Sequence, residues 1–125
     1  MYTNLQFDSA AKTVLTTVQG RVDSTRFRAL ALEELALLVE NKAHKLIIDI
    51  AGLGVMSLED QQWLQKEWNA KAVKAGLKYL AFVIPKDVFG KVAMKKANAD
   101  VNLNDKIIIQ YFENVEKSKD WITQL

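Results

Sequence analysis

The chain has 125 residues, 50% hydrophobic and 26% charged, with a formal net charge of +2 and no cysteine. That length fits a single domain over residues 1–125, which buries roughly two-thirds of its unfolded surface. The missing cysteine excludes a disulfide scaffold, a thiolate nucleophile and a thiolate metal site.

The first residues, MYTNLQFDSAAK, have no basic region followed by an apolar one, so no secretory signal is expected. Apolar runs stay well short of the roughly 20 residues of a membrane span, and the expected location is cytoplasmic. Leu5 and Phe7 alternate with Asn4 and Gln6, Asp8–Ala11 reads as a turn, and Val14, Leu15 and Val18 mark a second strand. Two strands on a short turn make a hairpin. After Gly20-Arg21-Val22, one of Asp23, Ser24 or Thr25 caps a helix reaching about Lys42. That helix is apolar around much of its circumference, so it is either well buried or lends one side to a partner.

Leu46, Ile47, Ile48 and Ile50 form a short β-branched run that suits a strand covered on both faces. Gly52 and Gly54 are expected to turn the chain, and Ser57 to cap a helix from Leu58 to about Ala75. Leu58, Leu64, Trp68 and Ala72 share one face of that helix, and Gly76 ends it. Leu77–Ile84 is a further buried strand stopped by Pro85. Asp87 opens a short helix through Val88, Phe89, Val92 and Ala93, and residues 98–105 are a loop. Lys106–Phe112 is the last strand, and Asn114 caps a closing helix carrying Val115, Trp121 and Ile122. The order β-β-α-β-α-β-α-β-α implies an α/β fold: a mostly parallel five-stranded sheet with an antiparallel first strand and four helices.

Charge is uneven along the chain. Residues 1–60 carry six basic and eight acidic side chains, whereas residues 66–96 carry eight lysines against Glu67 and Asp87. Such a segment can attract anions, but exposed lysines mostly serve solubility. No arginine cluster or RNA-binding signature accompanies them, so no nucleic-acid partner is expected.

Reaction chemistry is not visible. His44 is the only histidine; it precedes the central strand and reads as a surface or helix-end residue. With no second histidine and no cysteine, neither a catalytic set nor a metal site is expected, and Gly52-Leu53-Gly54 is too short for a dinucleotide fingerprint, so no cofactor is expected. Glu33-Glu34 and Glu59-Asp60 read as solvated or dipole-facing carboxylates, and Trp63, Trp68 and Trp121 as core or core-edge residues. Ligands of open α/β sheets collect outside the carboxyl ends of the strands. Here that places Arg21, Asp23 and Ser24 with Gly54, Met56, Ser57 and Leu58, and with Lys86 and Asp87.

The element order, LIIDIAGLGVMS running straight into a helix, GLKYLAFVIP in the next unit and a helix after IIIQYF resemble the STAS domain family, the SpoIIAA-like anti-sigma-factor antagonists. The resemblance spans essentially the whole chain. It implies a SpoIIAA-like fold and a non-enzymatic regulatory module that binds a protein partner through those loops. The alternative is a small-molecule or lipid-binding module of the same fold, with an apolar or anionic ligand beneath the loops or beside the first helix. The resemblance also implies an Asp-Ser pair after the position of Met56, the Ser being the phosphoacceptor. Here those positions hold Ser57 and Leu58, followed by Glu59 and Asp60, so the acceptor hydroxyl is missing from its matching place.

Overall fold

The computed structural model describes residues 2–54, 57–87 and 106–125. Five strands, β1 (Tyr2–Asp8), β2 (Thr13–Gly20), β3 (Lys45–Leu53), β4 (Tyr79–Val83) and β5 (Ile108–Phe112), form one sheet in the order β1-β2-β3-β4-β5. β1 pairs antiparallel with β2, and every later pairing is parallel. The expected sheet is therefore the observed one. The helix expected to continue beyond Asp87, the loop 98–105 and Met56 lie outside the described residues. Among the described residues, no helix is long and apolar enough to cross a membrane.

Local chemistry accounts for the element ends. Asp8 Oδ1 accepts from the amides of Ala10 at 3.0 Å and Ala11 at 3.2 Å, which tightens the hairpin turn. Helix α1 (Ser24–Asn41) is capped by Asp23, whose carboxylate accepts from the Arg26 amide at 2.8 Å. Ser57 caps α2 (Leu58–Trp63), accepting from the Asp60 amide at 3.1 Å. Asn114 caps α4 (Val115–Thr123) through the Lys117 amide at 2.8 Å.

Helix α2 runs through a π-helical turn, Leu64–Trp68, into α3 (Asn69–Lys74) without leaving helical backbone angles. The Asn69 amide bonds the Leu64 carbonyl, five residues back, as a π-helical turn requires. The sequence pattern did not anticipate this turn, because an apolar spacing of four is compatible with either winding. Gly76, at φ +95°, then ends the helical run.

Gly52 does not turn the chain as expected: it lies within β3, paired with Gln19, and just beyond the strand the Gly54 amide bonds the Gly20 carbonyl at 3.0 Å. Between them and the buried half of β3 the register slips by one residue. Thr17 faces Asp49, but Gln19 faces Gly52, and Asp49 Oδ1 accepts from the Ala51 amide at 3.2 Å inside this bulge. A β-carbon on Gly52 would stand 3.0 Å from Gln19 Cγ, so close approach explains that glycine.

Helix α1 and the α2–α3 run cover one sheet face. Val14, Leu46 and Leu80 meet Leu35, Leu38, Trp68 and Ala72 there. Helix α4 covers the other face, where Ile122 packs on Ile47, Ala81 and Val83. The buried Trp68 indole N–H donates to the Ala31 carbonyl at 2.9 Å and so ties the two helices of the first face. His44 has the helix-end role expected of it: Nδ1 lies 2.8 Å from the Gly76 carbonyl oxygen, at the start of β3.

Gly76→Ala is expected to cost about 1–2 kcal/mol, since alanine resists the left-handed backbone and its β-carbon would sit 3.3 Å from His44 Nδ1. Gly54→Ala, whose β-carbon would meet only the Gly20 carbonyl oxygen at 3.6 Å, is expected to stay within about 0.5 kcal/mol. Urea midpoints of the two variants check the contrast.

Candidate functional site

The carboxyl ends of β2 and β3 and the amino-termini of α1 and α2 enclose a cleft of about 630 Å³. Arg21, Asp23, Ser24, Gly54 and Ser57 all line it, so five of the residues expected at the loop face come together there. Leu58 is 68% exposed at the start of α2 and not on the apolar face assigned to it from the sequence. Lys86 and Asp87 are exposed and do not line this cleft. They follow β4, where Lys86 contributes positive charge near Glu113.

The floor of the cleft is set by Asp60, which faces the α2 dipole as one of the two expected roles has it but is not solvated. It is 4% exposed. Its Oδ2 accepts from Ser24 Oγ at 2.8 Å and its Oδ1 from Arg28 Nε at 3.1 Å. Burial alone would raise the Asp60 pKa, but hydrogen bonds with Ser24, Arg28 and Ser57, and the Arg28 charge, together bring it below the usual carboxylate value. The Arg28 guanidinium also lies 5.3 Å from the centre of the Trp63 ring. One carboxylate thus joins the first turns of two helices that are adjacent only in space.

Beneath the cleft, between the sheet and the α1/α2 layer, lies a second cavity of about 210 Å³. Its walls are mainly apolar and aromatic, including Leu30, Phe27, Ile48, Phe82 and Trp68, with Gln61 and Gln65 at an exposed rim. Phe82 and Tyr111 stack in this wall at 5.6 Å and 17°. Glu34 also lines it and is 4% exposed, where the sequence reading expected a solvated residue. Thr16 Oγ1 donates to Glu34 Oε2 at 2.7 Å. Burial pushes the Glu34 carboxyl up to about 8, the Thr16 bond opposing only part of the rise. A sequence signal for Glu34 did exist: it lies three residues from Ala31 and four from Leu30 and Leu38, all buried, on the inner stripe of α1.

In the basic segment Lys66, Lys71, Lys74, Lys78 and Lys86 are exposed, as both a solubility role and an anion-attracting role require; Lys91, Lys95 and Lys96 lie outside the described residues. Among the described residues no group of three or more His, Cys, Asp or Glu side chains could hold a metal ion.

The strand order and pairing are those of a SpoIIAA-like α/β fold. Among solved structures, the chain matches the anti-sigma factor antagonist SpoIIAA in its unphosphorylated form, with a TM-score of 0.64 at 11% sequence identity, over 99% of this chain and 100% of that one. No family model matches the sequence, and no curated protein matches it. The shared property is the fold.

Replacing Asp60 by Ala is expected to cost on the order of 2 kcal/mol at pH 7, where the two α1 donors Ser24 and Arg28 lose their acceptor. Because the folded pKa is depressed, this contribution is present above the unfolded value of 3.8 and is lost as pH falls through the folded value. The penalty should therefore shrink in denaturation curves measured toward pH 3.

For Glu34 the sign is opposite. The folded state keeps a proton that the unfolded state releases above 4.5, so stability should fall as pH rises from 4.5 to about 8. Glu34→Gln keeps the Thr16 acceptor and removes the titration. It should flatten this slope and be more stable than the wild type at pH 8.5, as read from the pH dependence of urea midpoints.

Proposed function

We propose that this protein is a non-enzymatic, cytoplasmic regulatory module that docks a protein partner on the loop face at the carboxyl ends of β2 and β3. The observation that carries the reading is Leu58, a large apolar side chain 68% exposed that does not line the cleft but follows Ser57, which does. An exposed apolar residue beside fixed polar groups suits a protein contact. Asp23, Ser24, Ser57 and Asp60 spend polar atoms on caps and on the α1–α2 bridge, which suits a rigid recognition surface better than an acid–base centre. The likeness to an anti-sigma factor antagonist in fold supports the same reading.

Control by phosphate would have to differ from the pattern that the family resemblance implies. Leu58 has no nucleophilic atom, and Ser57 Oγ accepts from the Asp60 amide. Partner engagement is therefore constitutive or set by a ligand or by protein abundance. A photo-crosslinking residue at position 58, with a control at exposed Lys42 at the far end of α1, tests the docking face in host cells. The expected result is a discrete adduct from position 58, absent from position 42 and weakened about tenfold by Arg21→Glu. The same adducts from both positions would sink the proposal.

A further inference from the structure

The cavity between the sheet and the α1/α2 layer is not needed for docking on the loop face, and it has its own polar group. We propose that it is a binding site for a small neutral molecule, a single aromatic ring carrying one hydrogen-bond-accepting oxygen, which Glu34 receives through Oε1.

Four observations support this. The first is size. Protein interiors pack to the density of organic crystals, yet about 210 Å³ is open here. An apolar cavity of roughly 150 Å³ in another protein already admits benzene, so a ring with a short substituent fits. The second is the wall. Phe82 and Tyr111 present stacked rings, and Trp68 and Phe27 add aromatic surface. These are planar contacts that favour a planar guest in offset or edge-on packing.

The third is the placement of Glu34. An acid on the buried stripe of α1 is costly unless it is paired or neutral. Among the described residues, the polar contact that fixes its orientation uses Oε2, as the acceptor from Thr16 Oγ1 at 2.7 Å. With its carboxyl pushed up to about 8, Glu34 is mostly protonated at neutral pH. It then presents an O–H donor in apolar surroundings. A donor of that kind selects an accepting oxygen and disfavours a carboxylate, whose charge would have to leave water.

The fourth is the π-helical turn. Leu64, Gln65 and Trp68 belong to it, and all three line the cavity. Such turns cost regular hydrogen bonding and occur often at binding sites. Here the turn borders the cavity along one side, with exposed Gln65 at its rim.

The test uses the whole chain, labelled with ¹⁵N, and a matched pair of probes. Acetophenone has the ring and the accepting oxygen; α-methylstyrene has the same shape with a methylene in place of that oxygen. Both are titrated into the wild type, Glu34→Leu and Glu34→Gln, following amide resonances and the Trp68 indole N–H. The expected result is saturable shifts from both probes, centred on the cavity lining. The ratio of acetophenone to α-methylstyrene affinity should fall about tenfold in Glu34→Leu, the loss of one buried hydrogen bond. Glu34→Gln keeps an N–H donor and should hold the ratio within about threefold of the wild type.

No saturable shift from either probe overturns the site, as do shifts centred on the loop cleft. A ratio unchanged in Glu34→Leu overturns the role of Glu34, and a ratio lost equally in both variants overturns its assignment as a donor. Should Glu34→Leu not fold, Glu34→Ala takes its place with the same expectation. Crosslinking at position 58 reads the docking face and these titrations read the cavity, so the two proposals fail separately.

Discussion

The loop face depends on the Asp60 carboxylate. A buried acid is tolerable as an anion only when donors replace the water it has lost. Ser24 and Arg28, both from α1, provide them, while the Asp60 amide is held by Ser57. The contacts bridge 36 and 32 residues of sequence, so one side chain sets the spacing of two helix amino-termini. The cleft between them inherits its shape from that bridge, and Leu58 its exposed position.

Asp60 and Glu34 expose equally little surface, but Glu34 lies deep in the protein and Asp60 lies at the cleft, and their pKa values move in opposite directions. The difference lies in their depth and in their neighbours. Asp60 sits at a helix amino-terminus beside a guanidinium, which favours charge. Glu34 has one hydroxyl donor and apolar walls, so desolvation wins. The same chemical group therefore braces a polar surface at the edge of the sheet and supplies a neutral donor inside a cavity beneath it. One helical run touches both, since Asp60 lies in the first turn of α2 and the π-helical continuation borders the cavity.

Much of the fold was legible in the chain because it is written in local chemistry. The β-branched run at Leu46–Ile50, the caps at Asp23, Ser57 and Asn114, and the helix end at Gly76 each depend on residues within one turn or one strand. The site was legible as a location, since the parallel sheet directs the loops after β2 and β3 to one end, and Arg21, Asp23, Ser24, Gly54 and Ser57 do meet there.

What only the tertiary structure decided is where polar groups lose water and which neighbours then meet them. Glu33 and Glu34 are chemically alike in sequence, yet one is exposed and the other faces Thr16 across the core, because helical phase turns successive residues about 100° apart. Gly52 read as a turn residue until the bulge at Asp49 carried β3 on alongside Gln19. The spacing of Leu58 puts it on one face with Leu64, Trp68 and Ala72, but with the Ser57 cap and the Asp60 bridge in place it lies in solvent. The sequence by itself determined the elements and the end of the sheet where they converge. Burial, register and helix rotation depend on contacts made across tens of residues, and these set the charge of Asp60, the neutrality of Glu34 and the cavity between sheet and helices.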